Sequence, residues 1–326
     1  MNLKAFGWTV ERQAAFAAYA GTDLLPGRVI GEHRTHFQVA TDIGELTAEI
    51  TGKLRNDAVE RSDLPGVGDF VALRLTAGDG PAIIEAVLPR TSALVRQASA
   101  ENRPQLLAAN IDVAFIVMAL DGDFNLARLH RYLALVRDSG AEAVIVANKI
   151  DLATDATGAA EQIADTAPGV AIHPINAKAA NGIADLERYF KNNQTVVLIG
   201  SSGAGKSTLT NQLLGRAVQA TQEVRAHDSR GRHTTTHRQL FVRPQGGSVI
   251  DTPGIRGLEL WNDAPDSQIN FDDIEALAAN CRFRDCRHAS EPACAVRAAV
   301  ARGDLDEAHL ASYLQRSPAS NSGSRR

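Results

Sequence analysis

Residues 200–208 read Gly200-Ser201-Ser202-Gly203-Ala204-Gly205-Lys206-Ser207-Thr208 and fit the pattern G-x-x-x-x-G-K-[ST] directly after the apolar run Val196-Val197-Leu198-Ile199. Such a loop suits a polyphosphate. Its glycines let the backbone wrap close around phosphate oxygens, and the N–H groups that open the next helix bind them. Lys206 then neutralises charge between the β- and γ-phosphates, while the Ser207 hydroxyl ligates Mg2+. A second set, Cys281, Cys286, His288 and Cys294, has the spacing C-x4-C-x-H-x5-C and uses every cysteine in the chain. An odd number of cysteines within 14 residues is no disulfide framework. Three thiolates and an imidazole make a closed tetrahedral Zn2+ site, which points to structure and not to catalysis.

Asn148-Lys149-Ile150-Asp151 follows the apolar run Ala143 to Ala147 and resembles the N-K-x-D loop with which GTPases read guanine. A carboxylate at Asp151 accepts from both N1–H and the exocyclic amine of guanine, a donor pair adenine lacks, and an unmatched buried pair is expensive. The Lys149 stem can lie over the base, and Asn148 can tie this loop to the phosphate loop. By itself the tetrapeptide also reads as an ordinary helix start with Asp as cap. Asn176-Ala177-Lys178 is similar to an S-A-K loop whose backbone N–H groups approach the guanine O6, with Asn176 in place of the serine. Asp251-Thr252-Pro253-Gly254 fits D-x-x-G. There Asp251 can hold Mg2+ through water and the Gly254 N–H can sense the γ-phosphate, although a strand ending in such a turn is common. Between the two lies Arg230-Gly231-Arg232-His233-Thr234-Thr235-Thr236-His237. Thr235, with Thr236 close behind, is the expected second hydroxyl ligand of Mg2+.

These loops need a sheet to hold them. From Ile111 onward, buried strand candidates (Ile111 to Ala119, Ala143 to Ala147, Val170 to Ile175, Thr195 to Ile199, Gln239 to Val242, Ser248 to Ile250) alternate with helical text. In the helix over 125–138, Leu126, Leu129, Leu133 and Val136 share one face. The alternation predicts a mostly parallel α/β sheet covered on both sides. Residues 27–89 instead contain short β-like runs between Gly, Asp and Pro, which suggests a five-stranded OB-type barrel, a fold that commonly binds oligonucleotides but can be purely structural. The first two dozen residues read as one short alanine-rich helix ending at Gly21. After Trp261 the text is helical, with helices over 295–315 packed behind the zinc, and residues 316–326 read as a disordered tail. The expected division is a helical extension at 1–24, a barrel at 25–92, the phosphate-loop domain at 93–260 and a helical zinc domain at 261–315.

With 34 Lys and Arg against 38 Asp and Glu, the net charge of −4 excludes a wholly basic nucleic-acid-coating protein, and 44% hydrophobic residues exclude general disorder. Basic text is local, at 225–243 and around the cysteines in Arg282, Arg284, Arg287 and Arg297, so any RNA contact should be local and only moderately salt-dependent. The longest apolar run, Val113 to Leu120, is far shorter than the roughly 20 residues that span a bilayer. No secretory leader is visible in residues 1–20. A cytoplasmic monomer without a membrane span is expected.

In familiar GTPases the order is phosphate loop, threonine, D-x-x-G, N-K-x-D, S-A-K. Here the last two come first, a circular permutation. The permuted core, the barrel text, the switch Gly231-Arg232-His233-Thr234-Thr235-Thr236 and C-x4-C-x-H-x5-C together closely resemble the bacterial small-ribosomal-subunit biogenesis GTPases known as the RsgA or YjeQ family, over roughly residues 25–315. That resemblance implies GTP hydrolysis to GDP stimulated by the small ribosomal subunit, with barrel and zinc domain gripping ribosomal RNA during late maturation. The position after D-x-x-G, where Ras-like enzymes place a water-orienting Gln, is Ile255. Intrinsic hydrolysis should therefore be slow. His233, in the switch, is the candidate to orient water, its bland alternative being an exposed loop histidine. Two other readings stay open: a GTP-dependent RNA-binding switch with incidental hydrolysis, and a GTPase acting on a different RNA.

Overall fold

A computed structural model describes residues 2–78, 80–98, 103–121, 123–216 and 238–251, and in the C-terminal part 274, 277–283, 286, 288, 291, 294–302 and 305. The chain divides into two compact units, residues 1–257 and 258–326. Among the described residues no helix is long and apolar enough to cross a membrane.

Five strands near the N-terminus close a small barrel: β1 (Leu24–Glu32), β2 (Phe37–Thr41), β3 (Gly44–Ile50), β4 (Phe70–Arg74) and β5 (Ala82–Val87). Their order is β1-β2-β3-β5-β4, and β4 returns to pair with β1, so no strand edge is left open. The β3–β5 pair is parallel, with a short helix α1 in the crossover region after β3 (Gly52–Asp57), which is the OB-type arrangement. Val29, Val39, Ala48, Val71, Leu73, Ala82 and Ile84 fill the interior. Gly27 is required there, because a Cβ on it would lie 2.6 Å from Val39 and 2.7 Å from Leu73.

The N-terminal segment departs from the single helix expected. It breaks into a 3-10 turn (Leu3–Phe6), a seven-residue helix (Val10–Phe16) and a second 3-10 turn (Ala17–Tyr19). Gly7, left-handed at φ 77°, ends the first piece, and the Thr9 hydroxyl caps the second. Trp8, Phe16 and Tyr19 then cover Phe70, Ala72 and Leu88 on the outside of the barrel. Strand β4 consequently buries both faces, which explains its unbroken apolar text.

After the barrel comes a hairpin the sequence does not announce, β6 (Ala93–Ala98) with β7 (Arg103–Ala109). Then the α/β core begins: β8 (Val113–Ala119), β9 (Glu142–Asn148), β10 (Ala171–Pro174), β11 (Thr195–Ile199), β12 (Gln239–Val242) and β13 (Ser248–Asp251). The order β10-β9-β8-β11-β13 is parallel throughout, and β12 adds antiparallel to β13. Helices α2 (Leu126–Ser139), α3 (Ala156–Thr166) and α4 (Lys206–Leu214) follow β8, the base-loop strand β9 and β11. From β8 the chain steps outward to β9 and β10, then returns to β11 on the other side. The order therefore reverses between β8 and β11, and ligands of such sheets bind at the carboxyl ends of strands at that switch point.

Strand β12 also pairs with β1 through Gly31 and Gln239, joining core and barrel in one eleven-stranded sheet. Arg28 fastens the junction from inside. Fully buried, it donates from Nε to the Gly68 carbonyl (3.1 Å), from Nη2 to that of Asn110 (3.0 Å), and from Nη1 to the Thr195 hydroxyl at the start of β11 (2.9 Å) and the Phe6 carbonyl. Burial pulls its pKa down to about 9, so it stays charged at neutral pH, solvated by backbone dipoles.

In the second unit, Ile274, Cys294, Val296, Ala299 and Leu305 form a small buried cluster around α5 (Ala295–Arg302). The helices expected to continue to 315 and the tail at 316–326 lie outside the described residues.

Candidate functional site

The phosphate loop leaves β11 at the switch point, and its shape depends on glycine. A Cβ on Gly200 (φ 147°) would sit 2.2 Å from the Val117 carbonyl of β8, and one on Gly205 (φ 96°) would sit 2.1 Å from Asn148 Nδ2. Gly205 is the residue before α4, whose N-terminus carries no side-chain cap, an arrangement that suits an anion. Lys206 opens that helix and donates to the carbonyls of Gly200 (2.7 Å) and Ser201, which holds its ammonium over the loop. Ser207 and Thr208 follow, half-buried, while Leu209, Leu213 and Leu214 anchor the helix in the core. Ser202 and Gly203 are exposed at the loop tip and Ala204 is buried beneath it.

Asn148, at the end of β9, joins three loops. Its Nδ2 donates to the Ala204 carbonyl of the phosphate loop (2.8 Å) and its Oδ1 accepts from the Ala177 N–H (3.0 Å). Only 2% of it is exposed, so neither bond competes with water. Lys149 turns left-handed at φ 61°, Ile150 is half-buried, and Asp151 stands exposed beside them. The Ala177 N–H, expected to face a base oxygen, is thus engaged by Asn148 in this structure. Asn176 does a turn-forming job suited to the missing serine: its Oδ1 accepts from the Ala179 N–H (3.0 Å). Lys178 is exposed next to it.

Asp251 ends β13, beside the phosphate-loop strand, and is 5% exposed. A buried carboxylate there can face a cation held by Ser207. Thr235, His233 and Gly254 lie outside the described residues, as does Ile255.

In the second unit the four expected zinc donors converge, all within 4.8 Å of one another. Cys281 Sγ is 3.8 Å from Cys294 Sγ and 3.6 Å from His288 Nδ1, and His288 Nδ1 is 3.4 Å from Cys294 Sγ. A tetrahedron with Zn–S near 2.3 Å and Zn–N near 2.0 Å has edges of about 3.8 Å between sulfurs and about 3.5 Å from sulfur to nitrogen. The three spacings among Cys281, His288 and Cys294 match it, and Cys286 lies within 4.8 Å of each, so the donor set fits the ion. Burial pushes the Cys286 thiol up to about 11. At Cys281 burial acts the same way, but backbone N–H groups of Ala295 and Val296 and the neighbouring thiols outweigh it and hold the thiol below its usual value. A bound dication favours the thiolate form of its cysteine ligands.

Residues 87–261 match the profile of the RsgA GTPase family. A small ribosomal subunit biogenesis GTPase RsgA 2 from Lactiplantibacillus plantarum is 46% identical over 97% of this chain and 89% of its own length. The chain belongs to the RsgA GTPase family. The small ribosomal subunit biogenesis GTPase RsgA of Opitutus terrae is 45% identical over 98% of this chain and 90% of its own. Among solved structures, YjeQ from Thermotoga maritima matches with a TM-score of 0.56 at 26% identity, covering 90% of this chain and 96% of that one. YloQ, a circularly permuted GTPase, gives 0.51 at 25% identity, covering 90% and 93%. The strand order agrees: in this RsgA-family GTPase the base-loop strand β9 precedes the phosphate-loop strand β11.

Motif reading passed over two carboxylates in the RsgA-family core. Asp121 and Asp123 lie between β8 and α2, where Asp121 Oδ2 accepts from Lys149 Nζ (2.6 Å) and Asp123 Oδ2 from Ser201 Oγ (2.5 Å). Two acids just beyond the carboxyl end of an all-buried strand were the available signal.

Proposed function

We propose that this chain binds GTP at the switch point and hydrolyses it to GDP in the late maturation of the small ribosomal subunit, gripping ribosomal RNA as it does so. The observation that carries the nucleotide reading is Asn148, a buried side chain that joins the candidate base loop to the candidate phosphate loop. In this reading Asp151 accepts from the guanine edge, Lys149 covers the base, the 200–208 loop and the start of α4 bind phosphate oxygens, and Lys206 shifts from its carbonyls to the developing charge. Ser207, Thr235 and, through water, Asp251 hold Mg2+, which when bound draws charge from the phosphate oxygens. His233 orients the attacking water once the ribosomal partner has docked, in place of the glutamine that Ile255 displaces. Cys281, Cys286, His288 and Cys294 hold one structural zinc, which shapes a basic surface for RNA. The functional division runs 25–92, 93–260 and 261–315, and the chain works as a cytoplasmic monomer.

Co-sedimentation with a non-hydrolysable GTP analogue tests the partner. The chain should pellet with small subunits when the analogue is bound and release them with GDP. Binding to a different RNA in preference, or equal binding in both nucleotide states, overturns the assignment. His233→Ala should lose about a hundredfold of subunit-stimulated turnover; near wild-type stimulation removes His233 from the mechanism.

A further inference from the structure

Each of the two nucleotide loops is held by a third loop that neither motif includes. It joins β8 to α2, and β8 is the strand that flanks the switch point on the base side. Asp121 Oδ2 receives the Lys149 ammonium at 2.6 Å, both side chains being about one quarter exposed. Asp123 Oδ2 receives the Ser201 hydroxyl at 2.5 Å and the Arg128 guanidinium at 2.7 Å. The loop is itself well tied. Asp121 Oδ1 accepts from the Asp123 N–H (3.0 Å), the Phe124 N–H donates to the Asp121 carbonyl (3.0 Å), and Asn125 caps α2 by accepting from the Arg128 N–H (2.8 Å). Helix α2 then roots it in the core through Leu129, Tyr132 and Val136.

We propose that Asp121 and Asp123 are positioning residues of the nucleotide site: Asp121 fixes Lys149 against the base, and Asp123 fixes Ser201 and with it the first turn of the phosphate loop. The proposal rests on the nucleotide site assigned above. A free lysine stem samples many rotamers and must give them up to cover a purine. An ammonium already pinned at its far end has fewer to lose, which is preorganisation of the bound state. Asp121 is in the right charge state to do this. Burial raises its pKa, but the Lys149 hydrogen bond and the Asp123 N–H outweigh that, leaving the carboxyl below its ordinary value and ionised at neutral pH. Loss of the carboxylate should therefore be felt first through Lys149, with a smaller effect through the Asp123 N–H that Oδ1 accepts.

A double-mutant cycle reads this directly, with fluorescently labelled GDP titrated against the wild type, Asp121→Ala, Lys149→Ala and the double variant. The expected result is about tenfold weaker binding for Asp121→Ala, a much smaller further loss when it is added to Lys149→Ala, and recovery of most of the affinity with Asp121→Glu. Equal losses in both backgrounds, or no loss in the wild-type background, overturn the proposal. If Lys149→Ala itself leaves GDP affinity unchanged, the nucleotide site assigned above is wrong, an outcome separate from the first. Should Asp121→Ala fail to fold, the isosteric Asp121→Asn takes its place in the cycle. Asp123→Asn and Ser201→Ala form the matching cycle for the phosphate loop, and additive losses there overturn the Asp123 half.

Discussion

Replacing Asn148 by alanine separates the loop-joining role of that side chain from the general stability of β9. The substitution removes one donor and one acceptor and strands two backbone groups, the Ala204 carbonyl and the Ala177 N–H, in residues that are 0% and 1% exposed. Each buried group left unmade costs about 1–3 kcal/mol, so two cost about 2–6 kcal/mol, with the midpoint near 4. For a unit of 257 residues a shift of about 2–4 °C per kcal/mol gives a fall in Tm of about 8–16 °C at that midpoint. Asn148→Asp dissects the pair. It keeps an acceptor for Ala177 but sets a carboxylate oxygen against the Ala204 carbonyl, so its damage should fall on the phosphate loop. Thermal unfolding by circular dichroism without nucleotide, with GDP affinity measured on the same samples, reads both effects. A loss below about 0.5 kcal/mol together with wild-type GDP affinity would refute the argument that Asn148 holds the loops in register.

Other consequences are equally open to measurement. The purified chain should carry one zinc by elemental analysis, and chelation or Cys294→Ser should expose residues 258–326 to protease, since the buried cluster among the described residues of that unit includes Cys294 itself; a C-terminal unit that resists protease without zinc contradicts this. His173 sits below its ordinary value of 6.5, first because of burial and then because of Arg188, and its Nε2 pairs with the Tyr189 hydroxyl at 2.8 Å. The unfolded chain therefore takes up a proton that the folded chain refuses just below pH 6.5, and stability falls as pH drops through that range. His173→Phe should flatten this part of the stability curve, and an unchanged slope excludes His173 as its source. Asp151→Asn should cost at least about a hundredfold in GDP affinity while favouring xanthine nucleotides, which offer a carbonyl where guanine has an amine; a variant still selective for guanine would remove Asp151 from base reading.

The parts that were legible in the sequence are those where one strong local constraint dominates. Strands β11 and β12 run over the residues their apolar text predicted, because a buried parallel or sheet-joining strand has no alternative use for such a run. The four residues whose spacing suggested a metal site, Cys281, Cys286, His288 and Cys294, come together within 4.8 Å. Elsewhere the structure depends on partners distant in sequence. Hairpin β6–β7 contains Arg96, Gln97, Arg103, Pro104 and Gln105 and shows no clean alternation, so only its pairing makes it a strand pair. The N-terminal segment looks like one helix until Gly7 and Thr9 are seen to break it and Phe70 to receive its aromatics. Arg28 is a charged residue in a β-run, and nothing local says that Phe6, Gly68, Asn110 and Thr195 will surround it. Asp121 and Asp123 belong to no motif; their contacts exist only because β8 lies between β9 and β11.

Single-turnover hydrolysis of GTP by the full chain, with and without purified small ribosomal subunits, tests the central claim most directly. With Ile255 in place of a water-orienting glutamine, slow turnover alone and an acceleration of at least about tenfold by small subunits, absent with large subunits, is the predicted result. An identical rate in all three conditions would contradict it.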